Sequence, residues 1–149
     1  MNEKKNGTKL EALTDDSLGS VAGGYGGEVT ASGSFASQTG TGLNIYVSWN
    51  AQTDMFGQKT LNVTVSASSY SLFSGASANG VELSVNGMTY VATPNAINYS
   101  GNTMAMNVLA GFTIPNAVGP AYMTAVWHFN GTYSGVPISS ITASGVATF

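Results

Sequence analysis

The chain has 149 residues, a length typical of one domain, and 43% of them are hydrophobic, which excludes a wholly disordered chain. Only 7% are charged, Arg is absent and the formal net charge is −3, so the chain lacks the cations that neutralise nucleic-acid phosphates. Cys is absent and His occurs once, which excludes disulfides, thiolate zinc sites and Cys nucleophiles. Composition therefore favours a binding or structural protein without a metal or cofactor over an enzyme.

The charged residues are concentrated at the N-terminus. Residues 1–24 contain seven of the eleven, and the next 125 residues contain only Glu28, Asp54, Lys59 and Glu82. This shift in composition predicts a boundary after residue 24, with a charged peptide over 1–24 and a separate domain over 25–149. The peptide lacks the apolar run of a secretory signal peptide, and no stretch of the chain is apolar enough to predict a membrane-spanning helix.

The N-terminal peptide has the pattern of a short amphipathic helix. Thr14 is placed to cap that helix, and Asp15 and Asp16 then fall in its first turn, where the helix dipole favours acids. Gly23 and Gly24 would end the helix in an extended segment without side chains. The apolar residues at near-helical spacing are Leu10, Leu13, Leu18 and Val21.

With these features, residues 1–24 resemble a double-glycine leader, the type carried by many bacteriocin precursors. The resemblance implies cleavage after Gly24, which follows Gly23, and recognition through Val21, Leu18 and Leu13, the fourth, seventh and twelfth residues before the cut. Ser17 departs from the family, which often has an acid at that place. The resemblance further implies a bacterial protein secreted to the extracellular space by an ABC transporter with a peptidase domain. The alternative is a tail with a helical turn and a glycine linker.

After residue 24 the hydrophobic pattern changes to a period of two. Residues 43–50 and 61–68 alternate apolar and polar side chains, and residues 81–85 continue the alternation. Period-two alternation predicts strands with one buried face. Further strands are expected over 28–36, 103–112 and 141–148, and the second of these would place Met104, Met106, Val108, Ala110 and Phe112 on one face.

Two Asn-Gly pairs predict hairpins with two-residue type I′ turns. Asn86-Gly87 would pair Val85 with Met88, Leu83 with Tyr90 and Val81 with Ala92, with all six side chains on one face. Asn130-Gly131 would likewise pair Trp127 with Ser134, Ala125 with Val136 and Met123 with Ile138. Eight or nine short strands with regular turns predict an all-β fold, an antiparallel β-sandwich of the Ig-like or jelly-roll-like type, preceded by the helical leader.

Groups with catalytic potential are sparse and scattered. His128 alternates with Trp127 and Phe129 and should therefore lie on the surface, and the carboxylates of the domain are far apart in sequence. Lys59 could join an Asn in an isopeptide bond or be an ordinary solvated lysine. Tyrosines that could stack on sugars, or be ordinary sheet-surface residues, are Tyr46, Tyr70, Tyr122 and Tyr133.

The low charge of the domain leaves its sheet edges with few of the side chains that commonly prevent pairing with other chains. We therefore expect an extracellular structural or adhesive protein that self-associates or binds a neutral surface such as a cell-surface glycan. The alternative is a large bacteriocin-type antibacterial toxin, which the leader favours equally. A plain secreted domain with covered edges stays open as well.

Overall fold

The structure is a computed structural model, and it describes residues 27–69, 80–94 and 105–149. The leader that the sequence predicts lies outside these residues, together with its cleavage residues Gly23 and Gly24 and its recognition residues Leu13, Leu18 and Val21. Tyr70 and Met104 lie outside them as well.

The described residues form strands and no helix, so the predicted all-β class is confirmed. Alternation of apolar and polar residues accounts for the longest strands, because it lets one face be buried while the other stays polar. The ten strands are β1 (Glu28–Ala36), β2 (Asn44–Thr53), β3 (Lys59–Ser69), β4 (Val81–Val85), β5 (Met88–Ala92), β6 (Ala105–Ile114), β7 (Ala121–Trp127), β8 (Gly131–Tyr133), β9 (Val136–Ile138) and β10 (Ile141–Ala147).

The strands form two antiparallel four-stranded sheets and one small hairpin. The first sheet has the order β1-β2-β3-β6 and the second has the order β10-β7-β4-β5, while β8 pairs only with β9. Contacts join the sheets on both sides: β10 lies against β1 and β2, and β5 lies against β6.

Both sheets contribute to one hydrophobic core. The inward residues of β2 are Ile45, Val47, Trp49 and Ala51, and all are buried, as the alternation of that segment predicts. From the second sheet, Trp127 is fully buried and its ring packs edge-on against Phe129 with 5.0 Å between centroids. Full burial of such side chains contributes about 1.5–3 kcal/mol each, so this shared core is the main source of stability.

The first predicted hairpin is confirmed in its register. Val85 pairs with Met88, and Asn86 and Gly87 both have positive φ, at 49° and 89°, as a type I′ turn requires. This register places all six paired side chains on one face, as predicted. Met88, the first residue of edge strand β5, is nevertheless 61% exposed.

The second predicted hairpin is wrong. β7 pairs with β10, so that Ile141 lies opposite Trp127 and Ala143 lies opposite Ala125. The turn that was expected at Asn130-Gly131 occurs instead at Ser134-Gly135, where both residues have positive φ, between β8 and β9. The long strand β10 offers β7 a continuous ladder, whereas the predicted partner segment contains Pro137, which has no N–H to donate.

The predicted single face of 103–112 is also wrong. Val65 pairs with Ala110 and Ser66 pairs with Val108, so Leu109 is an extra residue that forms a β-bulge. One extra residue reverses the faces on which the side chains before and after it lie. Met106 and Val108 are therefore half-exposed, whereas Leu109 and Ala110 are buried.

Candidate functional site: edges, outer faces and a hairpin tip

The charged side chains of the described residues do not converge, and no group of three potential metal ligands occurs among these residues. Lys59 Nζ donates to Thr53 Oγ1 at 3.3 Å. Asp54 Oδ1 accepts from the backbone N–H groups of Phe56 at 2.8 Å and Gln58 at 3.0 Å, so this carboxylate shapes a turn. Asp54 and Lys59 thus have local structural partners.

His128 lies on the surface, as its alternation with Trp127 and Phe129 predicts. Its imidazole is 40% exposed, and its Nε2 lies 3.5 Å from Glu82 Oε2. A half-exposed pair of this kind contributes little to stability even when the His is protonated. This pair could not be predicted from the separation of residues 82 and 128 along the chain. It forms because β4 and β7 are neighbouring strands.

The outer face of the first sheet carries a row of uncharged polar residues that crosses all four strands. Ser32, Asn50, Asn62 and Thr113 lie opposite one another in this row. Asn62 Nδ2 donates to Asn50 Oδ1 at 3.1 Å and to Gln52 Oε1 at 3.0 Å, and Asn62 Oδ1 accepts from Thr113 Oγ1 at 3.3 Å. We call this set the amide row, and Asn62 makes three side-chain hydrogen bonds at its centre.

The second sheet carries a corresponding row of hydroxyl groups. Ser144, Thr124, Ser84 and Thr89 lie opposite one another across its four strands. The hydroxyls of Thr124 and Ser144 are 3.1 Å apart, and those of Ser84 and Thr89 are 3.2 Å apart. We call this set the hydroxyl row, and each of its four hydroxyl groups takes part in one side-chain hydrogen bond.

The tyrosines that were considered for sugar stacking have different positions. Tyr122 is 62% exposed and lies two residues before Thr124 of the hydroxyl row, so its side chain is on the same face of the strand. An exposed aromatic ring and hydroxyl groups therefore share this face. Tyr46 is partly exposed on the outer face of the first sheet. Tyr133 is fully buried, which removes it as a stacking residue, because it packs into the core beneath the β8–β9 hairpin.

The edges of the two sheets carry almost no charge. Among the four edge strands β1, β6, β5 and β10, only β1 has a charged residue, Glu28. In the first sheet both edge strands contain a bulge, at Thr30 in β1 and at Leu109 in β6. The edge strands of the second sheet pair with their neighbours without any register shift. Unpaired backbone groups on a straight edge are a template for another strand.

The tip of the β2–β3 hairpin projects two large apolar side chains. Met55 is 88% exposed and Phe56 is 83% exposed. The turn beneath them is fixed by the Asp54 carboxylate and by two backbone hydrogen bonds, Asp54 N to Gln58 O at 2.9 Å and Gly57 N to Asp54 O at 3.0 Å. Sequence reasoning missed this tip, although an Asp and a Gly that enclose two apolar residues are a readable signal for it.

A shallow depression adjoins this tip. It is lined by Gly57, Gln58, Lys59, residues 116–119 and Phe149. The Ala117 N–H donates to Lys59 O at 2.8 Å and so ties residues 116–119 to the hairpin, and Val118 is 72% exposed. Phe149 packs partly against the core, with its ring 6.3 Å from that of Trp49.

Comparison with known protein families, with curated proteins and with solved structures gives no match to this chain. Among the described residues, no helix has the length and the apolar character needed to cross a bilayer.

Proposed function

We propose that this chain is the precursor of a secreted bacterial protein, with a leader over 1–24 and an antiparallel β-sandwich over 25–149. A peptidase-containing ABC transporter removes the leader after Gly24 and exports the domain. Outside the cell the domain acts by self-assembly or by binding a neutral surface such as a glycan, and it has no enzymatic activity. The observation that carries the proposal is the nearly uncharged set of strand edges, of which those of the second sheet are straight.

The sandwich architecture is supported by the arrangement of the two sheets. Each has four antiparallel strands with an apolar inner face, and both faces supply residues to the same core. The strand order differs from that of an Ig constant domain, whose third strand belongs to the second sheet, because β3 here stays beside β2. We therefore propose a sandwich in which the first three strands form a meander.

The export step is supported by the sequence and by the position of the core. The charged residues are concentrated before residue 25, and the buried hydrophobic residues of the described chain begin at Leu43. A domain with this core has what it needs to fold after the leader is removed.

The export mechanism is tested by the N-terminal residue of the protein recovered from the medium of cells that express the full chain with a peptidase-containing transporter. We expect Tyr25. Gly24→Asp should block processing, since an acidic side chain does not fit a cleft that accepts glycine, whereas Ser17→Asp should be processed normally. Secretion of a molecule that still begins at Met1 would contradict the leader.

The extracellular role is tested with the secreted domain. Fibres in electron micrographs would support self-assembly, and retention on a glycan column that falls on Tyr122→Ala would support glycan binding through the face with the hydroxyl row. Killing of related strains by the same preparation would support the bacteriocin-type toxin instead. A protein that stays monomeric, binds no glycan and kills no strain would contradict the proposal.

A further inference from the structure

We propose that the hairpin tip and the adjoining depression form a docking surface for a second copy of this chain. The tip is the segment Met55-Phe56, and the depression is lined by Gly57–Lys59, residues 116–119 and Phe149. This inference goes beyond the proposed function, because the surface uses no strand edge and does not depend on export.

The apolar content of this end favours a macromolecular partner. Three large apolar side chains, Met55, Phe56 and Val118, expose most of their area at one end of the molecule. Single exposed apolar residues are ordinary on protein surfaces, whereas a group of them at one place indicates a contact surface. The tip is held by the hydrogen bonds of Asp54 described above, so its backbone is already ordered. Little conformational entropy is lost when a preordered tip binds, which raises the affinity that a small contact can reach.

The geometry points to an identical partner because a projection and a recess lie side by side. Gly57 follows Phe56 directly and already belongs to the wall of the depression. A two-fold rotation therefore brings the tip of each copy towards the depression of the other. Such a contact uses the same patch on both subunits and closes at a dimer, as isologous interfaces do.

The charged residues at the hairpin tip and in the depression also favour a two-fold contact between identical copies. The tip turn carries Asp54, and the depression carries Lys59, the one cation of residues 25–149. In the reciprocal contact, Asp54 of one copy approaches Lys59 of the other, so the surface is electrostatically complementary to itself. An anionic lipid surface would instead meet Asp54 first, which disfavours a membrane as the partner.

The size of the surface sets the expected affinity. Specific interfaces bury at least about 1,000 Å² in total, and a contact made mainly of three exposed apolar side chains per copy falls at this lower bound. We therefore expect a dimer with a dissociation constant in the micromolar range.

Analytical ultracentrifugation of the full chain tests the proposal. The wild type should show a monomer–dimer equilibrium, and Phe56→Ser should raise the dissociation constant about tenfold or more, as loss of a central aromatic anchor does. Val136→Ser is the matched control, since Val136 is 45% exposed but lies on β9, which pairs only with β8 and belongs neither to the tip nor to an edge of the two four-stranded sheets. A wild type that stays monomeric throughout the micromolar range, or equal effects of both variants, would overturn the proposal. Thermal unfolding of each variant checks that the fold is intact.

Photo-crosslinking identifies the occupant. A photoreactive phenylalanine analogue at position 56 is placed in the full chain, and light and heavy isotope-labelled chains are mixed before irradiation. Cross-linked peptides that join position 56 of one isotope to residues 116–119 or Phe149 of the other support the dimer. Links found only within one chain overturn it, including links to residues 1–26. Co-sedimentation with vesicles that Phe56→Ser abolishes, without links between chains, also overturns it in favour of a lipid partner.

Discussion

The two sheets have four strands each and a polar row on each outer face, yet their edges differ. In the first sheet, β1 and β6 are interrupted by bulges at Thr30 and Leu109. In the second sheet, β5 and β10 are regular and contain no charged residue. A bulge twists an edge away from an incoming strand, much as a lysine repels one. In a domain this poor in charge, edge protection therefore depends on backbone geometry, and only one sheet has it.

Self-assembly tests this difference between the edges, with a pair of valines as the matched variants. Val146 in β10 and Val108 in β6 are 47% and 50% exposed, and both are edge residues. Val146→Lys should lengthen the lag of fibre formation about tenfold, a difference of about 1.4 kcal/mol, because it places a charge on the straight edge. Val108→Lys should have much less effect, since the bulge already prevents pairing there. Light scattering and electron microscopy provide the measurement, and equal lag times for the two variants would contradict protection by bulges.

The bulge in β6 is expected to be the costliest single position for stability. Leu109 is fully buried, although it is the unpaired residue of the bulge. Leu109→Ala should lower the free energy of unfolding by about 2–5 kcal/mol, through lost transfer free energy and a residual cavity. Met106→Ala, on the exposed face of the same strand, should stay within about 0.5 kcal/mol. Urea unfolding followed by tryptophan fluorescence measures both, and a loss below about 1 kcal/mol for Leu109→Ala would show that the bulge is not anchored by this side chain.

The same bulge marks the limit of what the sequence predicts about the fold. Alternation predicted the buried faces of β2 and β3, where each residue has one partner, and Asn86-Gly87 predicted a turn because both residues must adopt positive φ. Alternation failed in β6, since an inserted residue changes the phase without leaving a local signal. The Asn-Gly signal failed after Trp127, because the choice between β9 and β10 as the partner of β7 depends on packing in three dimensions.

The proposed docking surface, too, could be predicted from the sequence only in part. The tip was readable in principle, because Asp54 and Gly57 are turn residues that enclose two apolar side chains. The depression was not, since it joins residues 57–59 to residues 116–119 and Phe149, which are distant along the chain. The sequence likewise does not predict which strands lie at an edge, because the strand order decides this.

One glycine in an edge strand of each sheet tests how closely that strand packs against the rest of the fold. A Cβ on Gly145 of β10 would collide with the ring of Phe35, whereas a Cβ on Gly111 of β6 would have its nearest neighbour, Val63 O, at 4.0 Å. Gly145→Ala should therefore destabilise the domain by about 1–3 kcal/mol through overpacking. Gly111→Ala should be neutral or stabilise it by up to about 1 kcal/mol, because the unfolded chain loses freedom. Thermal unfolding distinguishes these outcomes, and a neutral Gly145→Ala would show that β10 and β1 are less closely packed than described.

The polar rows give the smallest expected effect and the most direct comparison of the outer faces. Asn62→Ala removes two donated hydrogen bonds and one accepted bond from the amide row, so we expect a loss of about 1–2 kcal/mol. Ser84→Ala removes a single hydroxyl contact with Thr89 from the hydroxyl row, at an exposed site where water replaces it, so its cost should stay within about 0.5 kcal/mol. Urea unfolding gives both values. If the Ser84→Ala cost matched that of Asn62→Ala, the hydroxyl groups would be held as firmly as the amides, which would argue against exchange of these hydroxyl contacts for a glycan at the outer face of the second sheet.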